Sequence, residues 1–270
     1  MQLRKFLLLG LAAALLASAP LASATPPPPS SIAAIGDSIT RATDVCCWYG
    51  DHPRQSWSTG GGFLDGIRSH YERLRALNPA IAGHNYNDAR AGARMRDAAG
   101  QAQTAVTQQA AYVTILMGAN DVCTDSPETM TSVDDFRAQL VAAMNTLDAG
   151  LPPGSHVFVS SIPNIYRLWQ ILHSNPTARL VWWYAQICQS MLSPFNTEQD
   201  RQFVLAREQA FNDVLAEVCS LYTMCRFDGY AVFNYPFSTG NVSVLDYFHP
   251  SLSGQAVLAR VTWQRSWWAG

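Results

Sequence analysis

Short, unbroken runs of apolar residues alternate along this chain with longer stretches that have helical spacing. Residues 31–35, 112–117 and 156–161 are such runs, and residues 222–227 are a candidate for a fourth. Runs of this length and composition are typical of strands that are buried on both faces of a parallel sheet. Because helical stretches lie between the runs, the sequence predicts a layered α/β domain with a mainly parallel sheet.

Three stretches show the spacing of amphipathic helices. Their apolar stripes comprise Phe63, Ile67, Tyr71, Leu74 and Leu77; Phe136, Leu140, Met144 and Leu147; and Phe203, Ala210, Phe211, Val214 and Val218. Ser132, with Asp135 three residues later, and Thr197 are suited to cap the second and third helices. A further helix is predicted over residues 252–268. Because there is no internal repeat and no later linker, we expect one domain over residues 31–270.

The N-terminus has the pattern of a secretory signal peptide over residues 1–24. Arg4 and Lys5 precede an apolar run over residues 6–16, and small residues at positions 22–24 supply a cleavage site. The apolar run is too short to span a bilayer, so we expect a secreted, extracellular protein without a transmembrane segment. The alternative is an uncleaved membrane anchor. Residues 25–30 are interpreted as a Pro-rich leader.

Composition and cysteine content narrow the class of protein. The net charge is −2 and 14% of residues are charged, so the chain lacks the basic excess of a nucleic-acid-binding protein. Six cysteines in an exported chain indicate up to three disulfides. The candidate pairs are Cys219 with Cys225, Cys123 with Cys188, and the adjacent Cys46 with Cys47. Sequence alone leaves the pairing open, and the cysteine spacings match no zinc pattern. We expect a monomer.

Two of the predicted strands end in polar clusters. Gly-Asp-Ser at residues 36–38 follows the first run, and Gly-Ala-Asn-Asp at residues 118–121 follows the second. Ligands bind at the carboxyl ends of strands in open parallel sheets, so we expect both clusters at one edge. Ser38 is a candidate nucleophile, because the preceding glycine permits a tight turn that presents the hydroxyl. The alternative is that Asp37 and Ser38 only cap a helix.

A nucleophilic serine needs a general base, and the base needs an orienting group. Asp246 and His249 are three residues apart, so the carboxylate can reach Nδ1 of the imidazole and leave Nε2 facing the serine. The alternative is a surface aspartate and a histidine that caps the last helix. The Asn120 side chain and the Gly92 backbone N–H are candidate donors to an oxyanion, although both residue types are common in turns.

Four blocks of sequence resemble those of the SGNH, or GDSL-type, hydrolases, and they occur in the family's order. They are residues 36–39, Gly92, residues 118–121 and residues 246–249. The resemblance implies a flavodoxin-like three-layer α/β/α sandwich. It also implies that Ser38 is the nucleophile, His249 the base and Asp246 its partner. The implied oxyanion hole comprises the N–H groups of Ser38 and Gly92 with the Asn120 side chain. One departure is an isoleucine at position 39, where the family nickname has leucine.

Three shorter stretches, residues 56–61, 92–97 and 120–123, are similar to the phospholipase B-like branch of that family. This likeness implies a secreted carboxylic ester hydrolase of the lipase, phospholipase or esterase type. Its substrate is an acyl ester or a phospholipid, and it needs no metal or organic cofactor. The enzymatic alternatives are a carbohydrate acetylesterase and an acyltransferase, either of which would use the same site. The non-enzyme alternative is a lipid- or carbohydrate-binding module with a vestigial site.

Aromatic and apolar side chains are dense in residues 166–195, which include Trp169, Trp182, Trp183 and Tyr184. One interpretation is a set of helices packed on the domain. The other is an apolar wall or mobile cap that receives an acyl chain or contacts a lipid–water interface.

Overall fold

The computed structural model describes residues 25–269, which contain a five-stranded parallel sheet. The strands are β1 (Ile32–Gly36), β2 (Asn85–Asn87), β3 (Tyr112–Leu116), β4 (His156–Val159) and β5 (Cys225–Phe227). Their order across the sheet is β2-β1-β3-β4-β5. This is the strand order of flavodoxin-like folds, whose ligands bind at the switch point between β1 and β3. The predicted fold class is confirmed.

Helices connect the strands and cover both faces of the sheet. They are α1 (His70–Leu77), α2 (Ala98–Thr107), α3 (Ala119–Val122), α4 (Val133–Gly150), α5 (Ile165–Leu172), α6 (Pro176–Tyr184), α7 (Gln189–Leu192), α8 (Glu198–Ser220) and α9 (Leu252–Trp263). The two predicted N-caps are confirmed: Ser132 accepts the Asp135 N–H, and Thr197 accepts the Asp200 N–H. Within residues 25–269, each helix is too short or too polar to cross a membrane.

Alternate residues of each strand point to opposite faces of the sheet, and each face has its own apolar layer. Ile32, Tyr112 and Phe158 are fully buried and pack with Leu74 of α1 and Trp263 of α9. On the other face, the valine and isoleucine residues of β3 and β4 pack against α2, α4 and α8. The unbroken apolar runs of the sequence therefore reflect strands that are buried from both sides.

Two elements differ from the sequence expectation. The first predicted helix begins only at His70, and Phe63 is 83% exposed, because glycine-rich loop residues precede the cap at Ser69. Ser69 and Glu72 form a capping box that begins α1. The last helix ends at Trp263, five residues earlier than the predicted end at 268. Strand β2 was not predicted, because it is a half-buried edge strand of polar residues without an apolar pattern.

The Pro-rich leader is fastened to the domain, whereas the predicted signal peptide lies outside the described residues. The Asn78 side chain donates hydrogen bonds to the Pro28 and Pro29 carbonyl oxygens. Trp268 Nε1 donates to the Pro26 carbonyl oxygen at 2.9 Å. These contacts hold the chain immediately before β1 against Asn78 at the end of α1 and against Trp268.

Two of the three candidate cysteine pairs are disulfides. Cys219 bridges to Cys225 at the end of α8, and Cys123 bridges to Cys188 across 65 residues. Among the described residues, Cys46 and Cys47 are unbridged, with their Sγ atoms 2.6 Å apart on an exposed loop.

Candidate active site

The turn after β1 presents Ser38 at the carboxyl edge of the sheet. Glycine is required at position 36, because a Cβ atom there would lie 2.7 Å from the Leu116 carbonyl oxygen of β3. The Asp37 carboxylate accepts a hydrogen bond from the Ile39 N–H at 2.9 Å and so stabilises the turn. Since β1 and β3 are neighbours, the polar clusters at their ends meet at one edge of the sheet, as predicted.

Ser38, His249 and Asp246 are joined by hydrogen bonds in that order. His249 Nε2 lies 2.8 Å from Ser38 Oγ, and His249 Nδ1 lies 2.5 Å from Asp246 Oδ2. The second oxygen of Asp246 accepts the backbone N–H groups of Phe248 and His249, at 2.9 and 3.0 Å. With Nδ1 donating to the carboxylate, Nε2 is the acceptor that faces the serine hydroxyl.

The charge on Asp246 is stabilised by its surroundings. Burial raises the pKa of Asp246, but the His249 side chain and two backbone N–H donors outweigh burial and bring the pKa below its ordinary value. The loop that carries both residues is closed on itself, since the Ser243 N–H donates to the His249 carbonyl oxygen. Ser251 then caps α9 directly after this loop. The segment can therefore begin α9 and, at the same time, hold Asp246 and His249 in the site.

The candidate oxyanion donors lie on the same side of the site. Gly92 has φ of +77°, in the left-handed region that favours glycine. Asn120, in the first turn of α3, donates one amide hydrogen to the Ala93 carbonyl oxygen at 2.9 Å. That bond holds the Gly92 loop against α3 and leaves the second amide hydrogen of Asn120 for another acceptor. Ser38, Gly92 and Asn120 all line one open groove of about 800 Å³.

Two buried carboxyl groups lie beneath the site and were not assigned from the sequence. Burial raises the pKa of Asp37 to about 7 and that of Asp121 to about 6. The Asp121 carboxylate accepts hydrogen bonds from the Met95 N–H and the Thr131 hydroxyl, at 2.9 and 2.8 Å. These bonds offset part of the cost of burying its charge. Both residues belong to the polar clusters that the sequence singled out. Their burial, however, depends on how the helices cover the strand ends.

A third carboxylate, Asp44, lies beside the pair formed by Asp246 and His249. One oxygen from each carboxylate and a ring nitrogen of His249 lie within 4.8 Å of one another. Asp44 adopts φ of +54° and accepts the Gly50 N–H at 2.6 Å. The sequence contains no signal for this residue, because its position depends on the path of an irregular loop.

An apolar cavity of about 70 Å³ lies beside the groove, and His249 borders both spaces. Its lining includes Ile39, Ala119, Ile165, Leu168, Phe237 and Phe248. The groove is larger, and its lining includes polar residues such as Ser38, Asp44 and Asn120. The site therefore offers a small apolar compartment and a wide one that is open to solvent.

The aromatic segment over residues 166–195 is partly packed on the domain and partly an apolar wall of the groove, so both interpretations of its sequence apply. Trp182 is buried, and its Nε1 donates to the Tyr247 carbonyl oxygen at 2.9 Å, so part of α6 is packed on the domain. Leu180 and Tyr184, on the same helix, line the groove as an apolar wall. The mobile cap stays a prediction.

The sequence profile of the GDSL-like lipase/acylhydrolase family matches residues 34–257. The chain belongs to this family. The match includes all four blocks around Ser38, Gly92, Asn120 and His249, so the resemblance drawn from these motifs is confirmed. The match begins at residue 34, within β1, and includes all of β2, β3, β4 and β5. The GDSL-like assignment therefore applies to nearly all of the described domain.

This GDSL-like chain is similar to two curated mammalian proteins. Acyloxyacyl hydrolase of Mus musculus is 28% identical over 211 residues, which is 69% of this chain and 36% of that protein. Acyloxyacyl hydrolase of Oryctolagus cuniculus is 31% identical over 137 residues, which is 46% of this chain and 24% of that protein. The GDSL-like chain thus spans only a minor part of the length of these relatives.

A solved structure, an acetyl xylan esterase, aligns with a TM-score of 0.51 and 16% sequence identity. The alignment covers 87% of the GDSL-like chain and 98% of the esterase. At this level of identity, the similarity shows a shared fold.

Proposed function

We propose that this chain is a serine carboxylic ester hydrolase that cleaves acyl esters of lipids through an acyl-serine intermediate. The hydrogen-bonded line from Ser38 through His249 to Asp246 carries the proposal. Ser38 Oγ attacks the ester carbonyl carbon while His249 Nε2 takes the hydroxyl proton. Asp246 orients the imidazole and stabilises the imidazolium that forms.

The attack creates a tetrahedral intermediate whose oxyanion needs hydrogen-bond donors. The backbone N–H groups of Ser38 and Gly92 and the free amide hydrogen of Asn120 are the proposed donors. His249 then returns its proton to the alkoxide, and the alcohol leaves. A water molecule attacks the acyl-serine with His249 as base, and the carboxylic acid is released as Ser38 regains its proton.

The two compartments beside His249 support an acyl lipid as substrate. A cavity that holds one water needs roughly 10–15 Å³, so a cavity of about 70 Å³ has room for a short apolar segment of an acyl chain. The apolar wall of α6 borders the groove, where a longer chain or the rest of the lipid would lie. The similarity to acyloxyacyl hydrolases is consistent with an acyl ester substrate.

A carbohydrate acetylesterase is the second candidate, because the small size of the cavity beside His249 also suits an acetyl group. An acyltransferase is less well supported, since the groove is open and admits water to the acyl-serine. A binding module with a vestigial site is opposed by the intact hydrogen bonds between Ser38, His249 and Asp246.

Export as a monomer completes the proposal. The two disulfides support an oxidising compartment outside the cytosol. We expect cleavage after Ala24, which N-terminal sequencing of the exported protein would test. Sedimentation of the purified chain would test the monomeric state.

The decisive experiment compares the mature protein with Ser38→Ala on p-nitrophenyl esters of graded chain length, phospholipids and acetylated xylan. Ser174→Ala, which changes an exposed serine outside the site, is the matched control. We expect Ser38→Ala to lose at least a thousandfold in kcat, and Ser174→Ala to retain full activity. Equal activity of wild type and Ser38→Ala would contradict the mechanism. Preference for acetylated xylan over every acyl lipid would contradict the substrate class.

A further inference from the structure

The outward face of α6 is apolar toward its C-terminal end, which is unusual for a surface helix, although Thr177 and Arg179 are exposed nearer its N-terminus. Ala178 and Trp182 are buried, whereas Leu180, Trp183 and Tyr184 are 61%, 48% and 83% exposed. Positions three and four residues apart are neighbours on a helix, so these three exposed side chains share one face. Leu180 and Tyr184 also line the groove that contains Ser38.

The loop after β1 also has exposed apolar side chains at the groove. Tyr49 lines the groove and is 70% exposed, and Trp48 beside it is 66% exposed. The Tyr49 hydroxyl donates to the Leu245 carbonyl oxygen at 3.1 Å, and Val244, next in the chain, is 75% exposed. We define the apolar rim as Trp48, Tyr49, Leu180, Trp183, Tyr184 and Val244.

The chemistry of the rim fits an aggregated lipid better than a folded partner. Seven residues between positions 180 and 188 line the groove, and none of them is charged, although the exposed Arg179 directly precedes them. Tyrosine and tryptophan are favoured at lipid–water interfaces, because their rings are apolar and their O–H or N–H groups remain hydrated. A protein or second copy seated on the rim would close the groove over Ser38. A lipid surface there would instead supply substrate to it.

The rim is held in place by its connections to the domain. The hydrogen bond from Trp182 Nε1 to the Tyr247 carbonyl oxygen fixes α6 to the loop that carries the base. The disulfide between Cys123 and Cys188 fixes the chain just after α6 beside α3. These two bonds connect the exposed side chains of α6 to the elements that carry the site.

We propose that the apolar rim is an interfacial docking surface that adsorbs to aggregated acyl lipids and places the mouth of the groove against them. This inference deepens the proposed function and rests on it, since the lipid is also the substrate. Exposed apolar clusters of this kind mark interaction surfaces on soluble proteins.

The test uses the mature chain with Trp48→Ser/Trp183→Ser, which changes one rim residue of the loop after β1 and one of α6. The control is Leu77→Ser/Leu221→Ser, which removes two exposed apolar side chains at the C-terminal ends of α1 and α8, where the chain turns toward the opposite edge of the sheet. Binding is measured by co-sedimentation with phosphatidylcholine vesicles, and turnover is measured on the same vesicles and on soluble p-nitrophenyl butyrate.

We expect the rim variant to lose roughly tenfold or more in vesicle affinity, with a similar fall in the ratio of vesicle to soluble-ester turnover. The control variant should match wild type. Ser38→Ala should bind vesicles like wild type, so adsorption can be judged even if the hydrolase proposal fails. Three results would overturn the inference: wild type that does not bind vesicles, equal binding by the rim variant, or a wild-type dimer that the rim substitutions dissociate.

Discussion

Asp37 is the residue whose replacement tests the electrostatics beneath the site most directly. Its side chain is fully buried, and no donor among the described residues reaches its Oδ2 atom. Burial raises the pKa of Asp37 to about 7; the Ile39 N–H and the charge of His249 oppose this rise, and Asp121 adds to it. Above neutral pH the Asp37 carboxylate is therefore ionised while buried, and only one of its two oxygens accepts a hydrogen bond.

The stability cost follows from the difference in pKa between the folded and unfolded chain. The ordinary value is 3.8 and the folded value is about 7, a rise of about 3 units. At 1.36 kcal/mol per unit, ionised Asp37 costs the fold roughly 4 kcal/mol. Between about pH 4 and pH 7 the folded chain binds more protons than the unfolded chain, so the free energy of unfolding falls as pH rises. The cost is absent below this window and complete above it.

Asp37→Asn keeps an oxygen acceptor for the Ile39 N–H and removes the charge. We expect it to raise the free energy of unfolding by up to roughly 4 kcal/mol at pH 8 and by little at pH 4. Urea unfolding followed by tryptophan fluorescence at both pH values measures the difference. Asp125→Asn, at an exposed position, is the control. The same change at both pH values, or no gain at pH 8, would refute the electrostatic account.

Three further outcomes follow from the contacts of the site and its loops. In Asp246→Asn the amide donates to Nδ1 and forces a hydrogen onto Nε2 of His249, so we expect a loss of roughly 10⁴ in kcat on a soluble ester; a loss confined to KM would contradict this. Replacing Cys123 and Cys188 by serine opens a 65-residue loop and should lower the free energy of unfolding by about 4 kcal/mol in urea; an unchanged midpoint would count against it. Burial and the adjacent thiol raise the pKa of Cys46 to about 11, so its alkylation rate should rise about tenfold per pH unit from pH 8 to 10, by peptide mass spectrometry; a flat rate would be inconsistent with that shift.

Local patterns predicted most of the sheet and the composition of the site. β1 and β3 were visible because strands covered on both faces are continuously apolar. Asp246 and His249 were recognisable as a pair because three residues of chain set their separation. β2 was not predicted, because an edge strand of polar residues has neither an apolar run nor an alternation of apolar and polar residues. The Phe63 stripe was misleading, because spacing alone does not reveal that a loop containing Gly66 continues up to the helix cap at Ser69.

By itself, the sequence determined the strand ends, the residue types placed at them and the order of the motifs. Only the tertiary structure decided that Ser38 and His249, 211 residues apart, come within a hydrogen bond of each other. It also decided that Asp37 is fully buried and that the apolar face of α6 remains exposed. The physical reason is that burial, pKa and the shape of the groove depend on which surfaces meet across the sheet edge. Those contacts join segments far apart in the chain, and no local pattern records them.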